Sequence, residues 1–367
     1  MSKLYLIGAG CSKNYAQGTT DIPGLTSPVD KDFFEMAKKV IIRRKQIDQT
    51  WDLMLDGFIS DLSRLYGYLP RERSLDDLSI LNEEDLKVLD DPRLSLESVM
   101  TTISLESELF TKQPCILGYE EPNMNISIRL APLIQLVTVT ISEALQGPPC
   151  SKHRKLAESL EQGDIVISYN YDMLMDNALR NCGKLSDSGY LLPFQKVSNG
   201  VTWEGPDQAA SEITLLKLHG SLNWIHCTYC DSNLMMRYEK AANWETSIPR
   251  QCPKCGELGS YLRRLIVPPL LTKDYSDHAI NYLWGAASHL LQSYVNEIVA
   301  IGYSLPATDF ASETLLRTGF RFNRQKNIHV TLVNPDPDGR VFERFSRIFD
   351  PDKITRQKSL DEYLDTL

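Results

Sequence analysis

Four cysteines fall in two closely spaced pairs, Cys227/Cys230 and Cys252/Cys255, with 21 residues between the pairs. This C-x2-C repeat is close to the spacing of four-cysteine zinc ribbons, and Gly256, directly after the last cysteine, suits the tight turn of a metal knuckle. Four thiolates would close the tetrahedron around Zn2+ and leave no open position for water, so the expected role is structural. In comparable small modules such a site contributes roughly 10–16 kcal/mol of apparent binding energy. The bland alternative is four free thiols.

A second set of residues suits a nucleotide. Gly8-Ala9-Gly10-Cys11-Ser12 follows the apolar run 3–7. Glycines there would let the backbone approach a pyrophosphate without a Cβ in the way, with Ser12 and neighbouring amides as donors. A simple strand-to-helix turn would use the same residues. Asn170 and Asp172 follow the apolar run 164–168. Asn can bridge ribose hydroxyls and Asp can accept from a carboxamide, although both types are also common helix caps. His219 ends the run 213–218 and precedes Gly220, which permits a sharp turn and leaves the imidazole facing the same crevice. An imidazole there could take a proton from a ribose hydroxyl or a water. Of the other five histidines, His226 lies beside Cys227, and His153, His278, His289 and His329 read as surface positions on helices or strands. Gly302, Ser304 and Asn334 each lie just after a further apolar run, where contact with phosphate or ribose and a plain loop turn are equally open.

These residues need strand ends to position them. Short runs rich in Val, Ile and Leu occur at 3–7, 164–168, 213–218, 298–301 and 328–333, as expected of strands buried on both faces of a parallel sheet. Helical stretches near 171–182, 277–295, 310–322 and 339–349 lie between several of them, which predicts right-handed βαβ crossovers. Between about residues 30 and 160 the periodicity is helical. Phe33, Phe34, Ala37, Val40 and Ile41 recur at helical spacing, loosely continued by Trp51, Leu53, Leu55, Phe58, Ile59 and Leu62; further helices are predicted over 96–110 and 126–146. The expected class is α/β: a Rossmann-like doubly wound parallel sheet with an inserted helical module and a small zinc-ribbon module. The predicted organisation is 1–29 plus 163–225 plus 263–367 for the Rossmann-like nucleotide-binding domain, 30–162 for the helical insertion and 226–262 for the zinc-ribbon module.

Composition narrows the function classes. The chain of 367 residues is 42% hydrophobic and 24% charged, which is ordinary for a globular protein with one large or two modest cores. A net charge of −9 without a run of five like charges argues against a general nucleic-acid or anionic-membrane surface, because phosphate binding needs clustered Lys and Arg. No apolar stretch approaches the roughly 20 residues of a membrane span. The first strand begins at Leu4, which predicts no signal peptide and a cytoplasmic protein, and Cys11, Cys115, Cys150 and Cys182 are scattered as reduced thiols would be.

In this order, Gly-Ala-Gly-x-Ser, Asn-x-Asp, His-Gly, paired cysteines, Gly-x-Ser and a strand-end Asn, the motifs resemble those of the sirtuin superfamily, most closely the bacterial sirtuin-like domains that consume NAD+ in antiphage defence. The resemblance spans 3–24 and 164–335; the helical block matches only in position. It implies that Gly8, Ala9, Gly10 and Ser12 hold the pyrophosphate, that Asn170 and Asp172 hold the nicotinamide ribose and carboxamide, that His219 is catalytic with Asn170, that Gly302, Ser304 and Asn334 contact the adenosine side, and that Zn2+ is held by Cys227, Cys230, Cys252 and Cys255. Protein-deacylating sirtuins carry Gly-Ile-Pro-Asp-Phe-Arg after the glycine loop, whereas this chain has Asp21-Ile22-Pro23-Gly24-Leu25. Where they place a peptide-pairing Phe-Gly-Glu strand, it has Leu265-Ile266-Val267-Pro268-Pro269-Leu270, in which two prolines lack amide donors. The expected activity is hydrolysis of NAD+ to nicotinamide and ADP-ribose. An NAD-dependent deacylase or ADP-ribosyltransferase is the rival enzyme, and a non-catalytic NAD or ADP-ribose sensor the rival from another class. Only 33 residues follow Asn334. Restraint of such an activity is therefore expected from a homo-oligomer, a co-encoded regulatory partner or the helical block.

Overall fold

The computed structural model describes residues 2–13, 15, 21–45, 55, 58–59, 62–63, 65–68, 84–109, 126–198, 202–204, 209–237, 251–257, 262–271, 273–293, 295–323 and 327–367. Trp51, Leu53 and Cys115 lie outside them. The strands are β1 (Ser2–Ile7), β2 (Ile165–Ser168), β3 (Phe194–Ser198), β4 (Thr202–Glu204), β5 (Thr214–Lys217), β6 (Gly220–Cys227), β7 (Ser232–Arg237), β8 (Leu262–Ile266), β9 (Val295–Ile301), β10 (His329–Val333) and β11 (Ile354–Gln357).

Six of them form one sheet in the order β11-β10-β9-β1-β2-β5, with every neighbouring pair parallel. Numbered within the sheet this order is 6-5-4-1-2-3, so strand order reverses between β1 and β9. Outside the carboxyl ends at such a switch point, ligands of open parallel sheets bind. The sheet forms here because its central strands carry apolar segments: Leu4, Tyr5, Leu6 and Ile7 in β1, Ile165, Val166 and Ile167 in β2, and Ile298 to Ile301 in β9 are all buried in one continuous core. The helix His278–Ser293 joins this core through Ile280, Leu283, Ala287 and Leu291, and the helix Phe310–Phe322 through Leu315 and Leu316.

The remaining five strands form a second, mixed sheet in the order β4-β3-β7-β6-β8. Pairing of β6 with β7 and β8 is antiparallel, whereas β3 runs parallel to β7. This sheet is larger than the predicted metal module at 226–262, since it takes in residues from Phe194 to Ile266.

The chain divides into two compact units, one comprising 1–15, 147–267 and 274–367, the other 16–146 and 268–273. The second unit is built on the helices Phe33–Lys45, Leu96–Leu109 and Ile126–Ala144. Ile22, Leu25, Met36, Val40, Val139 and Ala144 form one buried cluster in it, and Arg44 pairs with Glu143 at 2.7 Å. Its boundaries differ from the expected 30–162. The helix Ser151–Ser159 belongs to the unit with the parallel sheet, because Leu156 and Ala157 are fully buried in that core. Among the described residues no helix is long and apolar enough to cross a membrane.

Candidate functional site

The loops leaving β1 and β9 interlock at the switch point. The Gly8 amide donates to the Ile301 carbonyl at 3.0 Å and the Gly10 amide to the Gly302 carbonyl at 3.1 Å. A Cβ on Gly8 would lie 2.6 Å from both the Gly302 oxygen and the Tyr303 Cα, and one on Gly302, whose φ is +61°, would lie 2.1 Å from the Cys11 amide nitrogen. Backbone therefore packs directly on backbone, which only glycine allows. Gly8, Gly10 and Gly302, predicted from separate motifs, are brought together.

Beside this junction Ser12, Asn170 and Asp172 form one buried hydrogen-bonded cluster. Ser12 Oγ donates to Asp172 Oδ2 at 2.8 Å, while Asn170 Nδ2 donates to the Gly8 carbonyl at 3.0 Å and to Ser12 Oγ at 3.1 Å. Both amide protons of Asn170 are thus engaged, and the atom it can offer a ligand is Oδ1. Asp172 Oδ1 also accepts from the Leu174 amide at 3.0 Å, a local bond just ahead of the helix Leu174–Asn181, whose N-cap is Met173. The cluster rests on a buried ion pair that sequence reading missed. Lys217, at the end of β5 and fully buried, donates to the Asp172 carbonyl and pairs with Asp176 Oδ2 at 3.1 Å, while Tyr190 donates to Asp176 Oδ1 at 2.7 Å.

His219 follows β5. At Gly220 φ is +76°, and a Cβ there would meet the Leu265 carbonyl at 2.0 Å, so this turn needs glycine too. The His219 carbonyl accepts from the Val267 amide at 2.9 Å, fixing the histidine's backbone to the end of β8. The residue is buried, and its ring meets Tyr169 edge-on with centroids 5.2 Å apart, while Tyr169 stacks on Tyr303 at 4.2 Å. Two aromatic rings therefore link the imidazole to the glycine junction. Asp309, buried ahead of the helix Phe310–Phe322, places Oδ2 at 4.0 Å from His219 Nε2 and accepts from the Tyr303 hydroxyl at 2.9 Å. Burial, together with the Asp309 charge, raises the pKa of both Tyr169 and Tyr303 above the ordinary phenol value, so these rings stay neutral.

Ser304 and Asn334 lie at the carboxyl ends of β9 and β10. The Ser304 carbonyl accepts from Arg344 at 3.0 Å, and Asn334 Oδ1 accepts from the Asp336 amide at 3.2 Å, a turn-closing bond. Among the described residues neither is hydrogen-bonded to the Ser12–Asn170–Asp172 cluster. Ala9 is exposed at the start of the helical turn Ala9–Ser12.

In the second sheet the four paired cysteines converge, with their sulfurs all within 4.8 Å of one another. Cys227 Sγ lies 3.8 Å from Cys255 Sγ, and Cys230 Sγ 3.7 Å from Cys252 Sγ. A tetrahedron with metal–sulfur bonds of about 2.3 Å has edges of about 3.8 Å. Both loops close alike: the Asp231 amide donates to the Cys227 carbonyl at 2.9 Å and the Gly256 amide to the Cys252 carbonyl at 2.8 Å, with Asp231 and Gly256 both at positive φ. This donor set can hold a metal such as zinc.

One histidine departs from expectation. His153, read from sequence as a surface residue, is 1% exposed, with Nε2 at 3.4 Å from Cys11 Sγ and Nδ1 at 3.1 Å from Cys150 Sγ. Its helix carries buried residues at 153, 156 and 157 against the sheet, and a single histidine gives no periodic signal of its own. Burial lowers its pKa, partly offset by Asp172, and burial also pushes the Cys11 thiol well above its usual range. His278, His289 and His329 are exposed.

Compared with known proteins, the chain matches no protein-family model and no curated protein.

Proposed function

We propose that the chain is an NAD+ glycohydrolase of sirtuin-like type, cleaving the bond between nicotinamide and ribose to give nicotinamide and ADP-ribose. The observation that carries this reading is the convergence of Gly8, Gly10, Gly302, Ser12, Asn170 and Asp172 at the switch point of a parallel sheet ordered 6-5-4-1-2-3. That order is the one dinucleotide-binding sheets use. In the reaction the C1′–N bond breaks with its electron pair passing to nicotinamide, and water adds to the oxocarbenium-like C1′ and loses a proton. Asn170 Oδ1 orients the ribose or the water, Asp172 positions the nicotinamide, and His219 accepts the proton from water or polarises the ribose hydroxyls. Gly302, Ser304 and Asn334 line the adenosine side. Zn2+ at Cys227, Cys230, Cys252 and Cys255 is structural in this reading, because four thiolates leave it no open position.

The surroundings of β8 favour hydrolysis over peptide deacylation. The Val267 amide is engaged by the His219 carbonyl, its carbonyl by the Tyr171 hydroxyl at 2.6 Å, and Pro268 and Pro269 have no amide to offer an acylated strand. Unrestrained loss of NAD+ harms a host cell, so the reading includes restraint by self-assembly or a regulatory partner, as in a defence effector. Incubation with NAD+ alone tests it: release of nicotinamide and ADP-ribose is expected. Turnover appearing only with an acylated peptide overturns it in favour of the deacylase, and tight nucleotide binding without product overturns it in favour of a sensor.

A further inference from the structure

Asp309 is not part of any motif described above, yet its carboxylate faces the histidine. Asp309 Oδ2 lies 4.0 Å from His219 Nε2, and the side chains of the two residues are 1% and 10% exposed. The same oxygen is held in place by Tyr303: its hydroxyl donates to Oδ2 at 2.9 Å, and Tyr303 is itself stacked on Tyr169, the ring that meets His219 edge-on. Tyr169, His219 and Tyr303 follow the carboxyl ends of the parallel strands β2, β5 and β9, and Asp309 lies at the start of the helix Phe310–Phe322 that comes after β9. We infer that Asp309 is a positioning residue for His219, forming with it a histidine–carboxylate dyad in which Tyr303 sets the carboxylate. The inference rests on the hydrolase reading for its catalytic meaning and on geometry alone for its physical content.

The physical content is simple. A carboxylate only accepts hydrogen bonds, so it favours the imidazole tautomer with the proton on Nε2 and stabilises the ring when it gains a second proton in the reaction. A carboxamide in its place can donate instead, which favours the opposite tautomer. In a Ser-His-Asp triad the same exchange leaves geometry intact and lowers kcat by about 10⁴. The separation of 4.0 Å is an ion-pair distance, longer than a hydrogen bond.

The test compares wild type with Asp309→Asn, Asp309→Glu and Tyr303→Phe. In steady-state NAD+ hydrolysis Asp309→Asn is expected to lower kcat by about 10²–10⁴. KM and ADP-ribose affinity should stay within about threefold, with Asp309→Glu recovering part of the rate and Tyr303→Phe losing less than Asp309→Asn. A kcat within about threefold of wild type, or equal losses in ADP-ribose affinity and thermal stability, overturns the inference. A second readout needs no turnover: ring 15N shifts of His219 at fixed pH should report the Nε2-protonated tautomer in wild type and a changed signature in Asp309→Asn. If the wild-type protein releases no nicotinamide but this signature changes, the hydrolase reading fails and the dyad stands. An unchanged signature removes the dyad whatever the activity.

Discussion

Replacing Gly302 by Ala probes the junction that holds the candidate site together. The residue sits at φ +61°, and an added Cβ would lie 2.1 Å from the Cys11 nitrogen and 2.4 Å from the Gly10 carbonyl carbon. Placing Ala in the left-handed region costs about 1–2 kcal/mol. Forcing the two loops apart adds about 1–3 kcal/mol, as overpacking of a close-packed region does. The sum, about 2–5 kcal/mol, corresponds to a fall in Tm of roughly 4–20 °C for a unit of this size. Gly183→Ala is the internal control: φ is +73° but a Cβ there meets nothing within 4 Å, so only the backbone cost of about 1–2 kcal/mol applies. Urea denaturation of both variants isolates the contact between the loops as their difference. Equal losses in the two variants would show that the loops do not pack on each other as described.

Three further outcomes follow from the buried groups. Lys217→Met should cost about 3–5 kcal/mol by leaving Asp176 charged and buried without its cation; pairing it with Asp176→Leu should recover much of that loss, and denaturant midpoints of single and double variants decide. Zinc analysis should find one metal per chain, lost in Cys252→Ser together with protection of β6 to β8 against hydrogen exchange; full protection with no metal bound would contradict the knuckle geometry. Because the folded-state pKa of His153 is lowered by burial, the unfolded chain takes up a proton first as pH falls through its ordinary value near 6.5. The His153 contribution to stability is therefore fully present above that pH and declines below it, by up to about 1.4 kcal/mol per pH unit. His153→Gln should flatten the stability profile between pH 7 and 5.5, and an unchanged slope would exclude the assignment.

Much of the parallel sheet could be read from the sequence because β1, β2, β5, β9 and β10 each carry a short buried apolar segment, such as Leu4–Ile7, Ile165–Ile167 and Ile298–Ile301. The edge strand β11 carries no such segment, because Thr355 and Arg356 are exposed. The second sheet was also hidden. β3 pairs with β7, about 40 residues further along the chain, and β6 pairs with β8 through a register irregularity after Gly220, so neither pairing leaves a short-range hairpin signal. The cysteine spacing was legible, because ligand spacing is a property of the chain itself. The glycines were noticed but not their mutual contact, which depends on two loops nearly 300 residues apart. Asp309 lies ahead of a helix and Lys217 at a strand end, positions that carry no chemical pattern in the sequence, and only the tertiary fold turns one toward His219 and buries the other.

The central claim is the proposal that the chain hydrolyses NAD+ with His219 and Asn170. The most direct measurement is the release of nicotinamide and ADP-ribose from NAD+ by the purified protein beside His219→Ala and Asn170→Ala, each shown to be folded by its thermal transition. Equimolar products from the wild type and none from either variant are predicted. Product release that persists at near-normal rate in both folded variants, or none from the wild type in any assembly state, would contradict the account.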